Sequence, residues 1–197
     1  MQSKSRFYKY KTPTSQQVEK ELKREKEKKR RGRILLNSLY VLIVVAAIST
    51  LIATMALPVI EIAGNSMEPN LKEKDIVLLV KSRKVESGEL VCFSYQNKLL
   101  IKRIVAKEGD VVNITDEGNV IVNGKFLEES YISQKDYGNP EIKFPHKVAK
   151  KSYFVLGDHR EVSVDSRSYA IGDVNEDQIV GKIILRIWPF KRIGIAE

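Results

Sequence analysis

Cysteine is almost absent from this chain. Cys92 is the one thiol, so no disulfide can form within it. It sits in "LVCFSY", a strand-like run in which a small buried hydrophobe is expected. Histidine is nearly as scarce. His146 and His159 are far apart and match no ligand spacing, so no metal site and no cofactor are expected. Charge is missing altogether from residues 34–60, "ILLNSLYVLIVVAAISTLIATMALPVI". Internal repeats are absent too. The chain carries 34 Lys+Arg against 25 Asp+Glu, a net charge of +9, yet residues 61–197 lack any basic excess. Residues 1–33 hold 13 basic and 4 acidic residues, which accounts for all of the +9 and leaves 21 of each sign beyond them. The basic charge therefore belongs to a tail, and a nucleic-acid partner is not expected.

What is present begins with that tail. Residues 15–33 are almost all polar, either a solvated helix or a disordered segment. The charge-free run follows directly. About 20 apolar residues span a bilayer at about 1.5 Å per residue. A buried core helix would be shorter and amphipathic, and the apolar part of a cleaved signal peptide is about 7–15 residues. The run is therefore read as an uncleaved signal-anchor, residues 34–60, with the lipid bilayer as its partner. "KREKEKKRRGR" stands before it, whereas Lys72 and Lys74 are the first basic residues after it. The positive-inside rule then places residues 1–33 in the cytoplasm and 61–197 on the outer face.

The outer part reads as mainly β. "DIVLLV" (75–80), "LVCFSY" (90–95), "LLIKRIVA" (99–106), "DVVNIT" (110–115) and "NVIVNG" (119–124) are short β-branched runs punctuated by Gly, Asn and Asp. Asn123-Gly124 is a hairpin-turn signal. A loop-rich insertion is expected at about 109–150, most polar over 128–150. "SYFVLGD" (152–158) reads as a buried strand, and 177–190 supplies the closing strands. No long amphipathic helix is expected beyond the anchor.

Three stretches carry chemistry. "IAGNSMEPN" places Ser66 in a Gly/Pro-bounded loop soon after the anchor. "LLIKRIVAKEGD" places Lys102 in mid-strand. Leu100, Lys102 and Ile104 share one face, and Ile101, Arg103 and Val105 the other, so each face holds one cation among aliphatics. "GDHREVSVDSRSYAIG", residues 157–172, is dense in Asp, Arg and Ser after a buried strand. A serine hydroxyl is a weak nucleophile and needs an adjacent base. Lysine can serve only when neutral, which apolar burial favours.

These stretches resemble the type I signal peptidases, the membrane-anchored Ser–Lys proteases of bacteria. "GNSMEPN" is similar to their Ser-Met-x-Pro box, "KDIVLLV" to the strand after it, and "LLIKRIVAKEGD" to their lysine box. "YFVLGDHREVSVDSRSYAIG" resembles their Gly-Asp-x-Arg…Ser-x-Asp-Ser-Arg box, and "RIWPFKRIG" their C-terminal ending. One span rather than two is similar to the Gram-positive form. The resemblance implies a signal-peptidase-like β-barrel or sheet and a serine endopeptidase that removes signal peptides from secretory preproteins after small residues. It implies Ser66 as nucleophile, Lys102 as base, and the Ser66 N–H as an oxyanion donor. Ser163 would hydrogen-bond the lysine amine, while Asp158 with Arg103 and Asp165 with Arg167 would brace the site. Ile62, Gly64, Met67 and the aliphatics of the 75–80 and 99–105 runs would line the substrate pockets. Gly64 stands where some members have a serine as second oxyanion donor. Asn70 replaces the usual Thr, and His159 and Val162 stand where Asn is frequent.

Three other readings compete with this one. A LexA-like self-cleaving repressor also uses Ser and Lys, but it needs a cytosolic DNA-binding domain. A membrane-anchored nucleic-acid binder is disfavoured by the neutral outer part. A signal-peptidase-like factor dedicated to surface-fibre assembly, or to a few precursors, remains the alternative.

Overall fold

The computed structural model describes residues 14–56 and 58–196. Residues 1–13 of the basic tail, and residues 57 and 197, lie outside the described residues. The chain divides into two units, 1–52 and 53–197, each taken here by itself.

The first unit is helical. Helix α1 runs Ser15–Ala56, so the polar segment from Ser15 and the charge-free run form one element. On its polar half Glu19 pairs with Lys23 at 3.1 Å and Glu25 with Lys28 at 3.5 Å. Such neighbours on a helix surface stabilise it by about 0.2–0.5 kcal/mol each. From Ile34 onward there is no charge, and side chains such as Leu35, Leu36, Leu42 and Leu51 are exposed. By length and composition α1 is a candidate membrane span. Its charge-free stretch is about 35 Å long at about 1.5 Å per residue, against a hydrocarbon core of about 30 Å.

The second unit is mainly β, as expected. Its strands in chain order are β1 (Val59–Glu61), β2 (Ile76–Val80), β3 (Leu90–Tyr95), β4 (Lys98–Lys107), β5 (Val111–Ile114) and β6 (Val120–Val122). They are followed by β7 (Lys125–Phe126), β8 (His146–Lys147), β9 (Ser152–Leu156), β10 (Val174–Asn175), β11 (Ile179–Trp188) and β12 (Gly194–Ile195). Beyond the end of α1, helical structure among the described residues of this unit is limited to two 3₁₀ turns, Glu176–Gln178 and Phe190–Arg192. The larger sheet runs β1-β2-β11-β3-β4-β9-β10, with β12 also on β11. The smaller runs β7-β6-β5-β8. Residues 109–150 therefore carry a small sheet of their own, with a strandless stretch between Phe126 and His146.

Turn chemistry fixes the registers. Asn123 and Gly124 take φ of 52° and 79°, the doubly left-handed pair a tight hairpin needs, and they set Val122 opposite Lys125. Gln96 and Asn97, at 44° and 61°, do the same between β3 and β4, which puts Lys102 opposite Val91.

Three apolar clusters fill the unit. The first joins Met67, Leu71, Val77, Leu79, Leu90 and Ile183. Cys92 lies in it, fully buried and unoxidised, and burial pushes its thiol up to about 11. The second joins the two sheets through Val112, Val120, Phe154 and Leu156. The third packs Val91, Phe93, Ile104 and Val155, with Leu100 against it. Strand β4 borders all of this, and its two halves differ. Residues 103–107 pair with β9, and the pairing with β3 reaches only as far as Arg103. Residues 98–102 pair with β3 alone and leave their other edge open.

Candidate active site

Ser66 lies in the loop between β1 and β2, ten residues beyond the end of α1 in sequence. Met67, its neighbour, is buried in the first apolar cluster and pins the loop there. A backbone bond from Leu71 N–H to Met67 O at 2.9 Å closes the turn. Lys102 lies where the open edge of β4 ends. Its Nζ donates to Ser66 Oγ at 2.7 Å. Thus two side chains 36 positions apart meet in hydrogen-bonding contact.

The lysine is only 4 % exposed. Burial pushes its amine down from 10.5 to about 8; Asp165 and Asp158 push it back up, and Arg167 lowers it further. Desolvation wins because the two carboxylates are themselves neutralised by guanidinium groups. Arg103 Nε and Nη2 grip Asp158 at 2.8 and 2.7 Å. Arg167 Nε and Nη2 grip Asp165 at 2.9 and 3.0 Å. A neutral amine can then accept the Ser66 proton along the line it now occupies as donor.

The third stretch closes the site from the far side. The Gly157 N–H donates to Asp165 Oδ2 at 3.0 Å, and the His159 N–H donates to the Ser66 carbonyl at 3.1 Å. Gly157 is required there for space. A Cβ on it would stand 2.1 Å from Ser163 Oγ and 2.6 Å from Ser66 O. Ser163 is therefore packed against Gly157, with its hydroxyl buried and without a hydrogen-bond partner among the described residues. The bond to the lysine amine that the resemblance implies for Ser163 is not made in this structure, because the Lys102 amine points to Ser66 instead.

Beside the pair lies a cleft of about 160 Å³, lined by Ile60 to Gly64, Ser66 and Met67 on one wall and by Leu99 to Lys102 on the other. Ile62, Gly64 and Met67 are all in it. The 75–80 run is not: Val77 and Leu79 are in the core, because alternate residues of β2 turn inward. The wall expected there is supplied by the open half of β4.

Several residues of the site escaped the sequence reading. The Asn70 side chain donates to Asp158 Oδ2 at 2.8 Å and to Tyr131 O at 2.7 Å, so the residue in place of Thr has a bracing role. Tyr131 stacks on Arg103, its ring centroid 4.0 Å from the guanidinium carbon. Glu129 pairs with Arg160 in the interior. Ser166 Oγ accepts from the Val155 N–H at 2.9 Å. Among these, only the density of Asp, Arg and Ser over 157–172 was a usable signal. Among the described residues, no group of three or more His, Cys, Asp or Glu could hold a metal ion.

A buried lysine amine in contact with a loop serine, beside an open strand edge, is the arrangement that a serine nucleophile with a lysine base requires. Comparison with known proteins narrows the reading. A family model described as signal peptidase, peptidase S26, matches residues 35–188. The chain belongs to that family. It is similar to a probable signal peptidase I-2 of Synechocystis sp., 37% identical over 149 residues, which cover 68% of this chain and 64% of that protein. The chain thus spans just under two thirds of that relative's length. It is also similar to signal peptidase IB of Staphylococcus aureus (strain Mu50), 37% identical over 149 residues, covering 66% of this chain and 76% of the relative. A crystal structure of a signal peptidase I from Enterococcus faecalis V583 matches at 25% identity with a TM-score of 0.43, over 50% of this chain and 96% of that one.

Proposed function

We propose that this chain is a membrane-anchored signal peptidase that uses Ser66 as nucleophile and Lys102 as general base. The observation that carries the reading is the 2.7 Å contact between a loop serine and a lysine whose amine burial brings down to about 8. Neutral Lys102 takes the Ser66 proton as Oγ attacks the scissile carbonyl. The carbonyl oxygen gains the negative charge, and the Ser66 N–H, which has no acceptor among the described residues, is free to donate to it. Protonated Lys102 then returns its proton to the leaving amine. Water, deprotonated by the Lys102 amine, attacks the ester on Ser66, and Lys102 returns the proton to Ser66 Oγ as the new C-terminal acid leaves. Asp158–Arg103 and Asp165–Arg167 hold the frame, and Ser163 orients the lysine when the amine turns from Ser66 during turnover.

The substrate is the signal-peptide end of a secretory preprotein. An extended peptide adds to the open edge of β4, so alternate side chains enter the cleft. The cleft is small, and apart from Glu61 and Lys102 its walls are uncharged, so the positions one and three before the scissile bond must be small. The anchor runs from residue 34 to the end of α1 at Ala56 and stops short of the expected residue 60, because Val59–Glu61 pair with β2; the tail 1–33 lies in the cytoplasm and the β unit outside, in accord with the one-sided Lys/Arg block. Ser66, ten residues beyond the end of α1, then works close to where a signal peptide leaves the bilayer.

The test is cleavage of a labelled preprotein with Ala at both positions, and of variants with Phe or Lys at either. Cleavage of the first and block of the others is expected. Efficient cleavage after Phe or Lys would contradict the specificity, and protease protection of residues 61–197 in intact protoplasts would contradict the orientation.

A further inference from the structure

The strandless stretch between β7 and β8 contains a turn, closed by Ile132 N–H to Glu129 O at 3.3 Å. From this turn Glu129 reaches the interior, its side chain 0% exposed, against Arg160 at 2%. Arg160 Nη1 donates to Glu129 Oε2 at 3.3 Å, and Nη2 donates to Oε1. Arg160 Nε donates to Gly157 O at 3.0 Å. Tyr131 Oη donates to the same Glu129 Oε1 at 2.9 Å. The Tyr131 ring lies on Arg103, and its carbonyl accepts from Asn70 at 2.7 Å. One short turn therefore touches all three segments that build the Ser66–Lys102 site. Asn70 belongs to the Ser66 loop, Arg103 follows Lys102 on β4, and Arg160 sits inside the 157–167 stretch.

Stability alone does not account for this arrangement. Replacing a buried ion pair by apolar residues of similar size is often neutral or stabilising. A guanidinium fork on a carboxylate adds fixed geometry instead. Geometry is what the site needs, because the three segments are far apart in sequence and Ser66 must stay within hydrogen-bonding reach of Lys102.

We propose that Glu129 and Tyr131 form a clasp that positions the catalytic segments, Glu129 through Arg160 and Gly157, and Tyr131 through Arg103 and Asn70. Its catalytic consequence rests on the Ser66–Lys102 reading; its structural consequence does not. With the clasp gone, the Ser66 loop and the 157–167 stretch slide against each other. A displacement of about 1 Å can lower the rate about 100-fold.

The test uses the full chain with the double substitution Glu129→Leu and Arg160→Met. It removes both charges together, so no unpaired ion is left inside. The expected result is a wild-type-like thermal midpoint, kcat lower by about 100-fold, and KM within about threefold. A second readout is independent of turnover. Hydrogen exchange should accelerate at the His159 amide, bonded to Ser66 O, and at the Leu71 amide, bonded to Met67 O. Tyr131→Ala, which leaves the ion pair in place, should give the same pattern. Tyr131→Phe, which keeps the ring and the carbonyl, should stay within about fivefold of wild-type kcat. Wild-type exchange at both amides in the folded double variant or in Tyr131→Ala would overturn the clasp, whether or not preproteins are cut. Wild-type kcat in those variants would overturn it too. Failure of the wild-type chain to cut preproteins would count against the functional reading and leave the exchange result to decide the clasp.

Discussion

If Lys102 is the base, activity must follow its neutral fraction. With the amine at about 8, about one lysine in eleven is neutral at pH 7 and half at pH 8. The value of kcat/KM should rise about fivefold between pH 7 and pH 8 and level off near ten times its pH 7 value. An ordinary lysine at 10.5 would instead give a rise of about tenfold per pH unit up to about pH 10, with no plateau below it. The assay is initial-rate cleavage of a labelled preprotein from pH 6 to 10, with folding checked at each pH. A plateau absent below pH 10, or a flat profile, would refute the argument that burial supplies the base. The same displacement acts on stability. Lys102 is lowered in the folded state, so between about 8 and 10.5 the unfolded chain binds more protons and stability rises with pH. Below pH 8 the buried amine carries a penalty of about 3 kcal/mol. Lys102→Met should therefore stabilise the inactive protein by up to about 3 kcal/mol at pH 7, and the gain should shrink as pH rises above about 8 and vanish above about 10.5.

Arg103→Ala leaves the Asp158 carboxylate buried with Asn70 as its one remaining side-chain partner among the described residues, and urea unfolding should show a loss of about 3–5 kcal/mol. Gly157→Ala drives a methyl group into Ser163 Oγ and the Ser66 carbonyl; kcat should fall by about 100-fold or more, measured on folded protein. Ser163→Ala removes a buried hydroxyl that has no partner among the described residues, so thermal stability should hold or rise slightly. Its orienting role predicts that kcat nonetheless drops at least tenfold at constant KM, and unchanged kcat would exclude that role.

The parts of this molecule legible in its sequence are those with local signatures. Alternation marks β2, β3 and β4, and Asn123-Gly124 marks its own turn because only that conformation closes the hairpin. Lys102 stood out as a cation amid aliphatics on a strand, and Ser66 as a serine in a loop between an apolar run and a β run. Illegible were the two-residue strands β7, β8, β10 and β12, too short to carry a period. The clasp was illegible as well. Glu129 and Arg160 are 31 residues apart, and Asn70 and Tyr131 are 61 apart. A single Glu or Tyr in a polar loop carries no pattern that points inward; its burial exists only once both sheets are assembled. One part of the expected substrate wall, the 75–80 run, is misplaced for a related reason. The 75–80 run looked as apolar as the 99–105 run, and only sheet order decides which has an open edge.

The central claim is that Ser66 and Lys102 act as one unit in cleaving preproteins. It is tested most directly by purified Ser66→Ala, Lys102→Ala and the double variant, incubated with a preprotein bearing Ala at both small positions, with the new N-terminus mapped by mass spectrometry. Each single variant should be folded and inactive, and the double variant no worse than either, because residues that act together lose their effect together. Cleavage at the wild-type rate by either folded single variant would contradict the account.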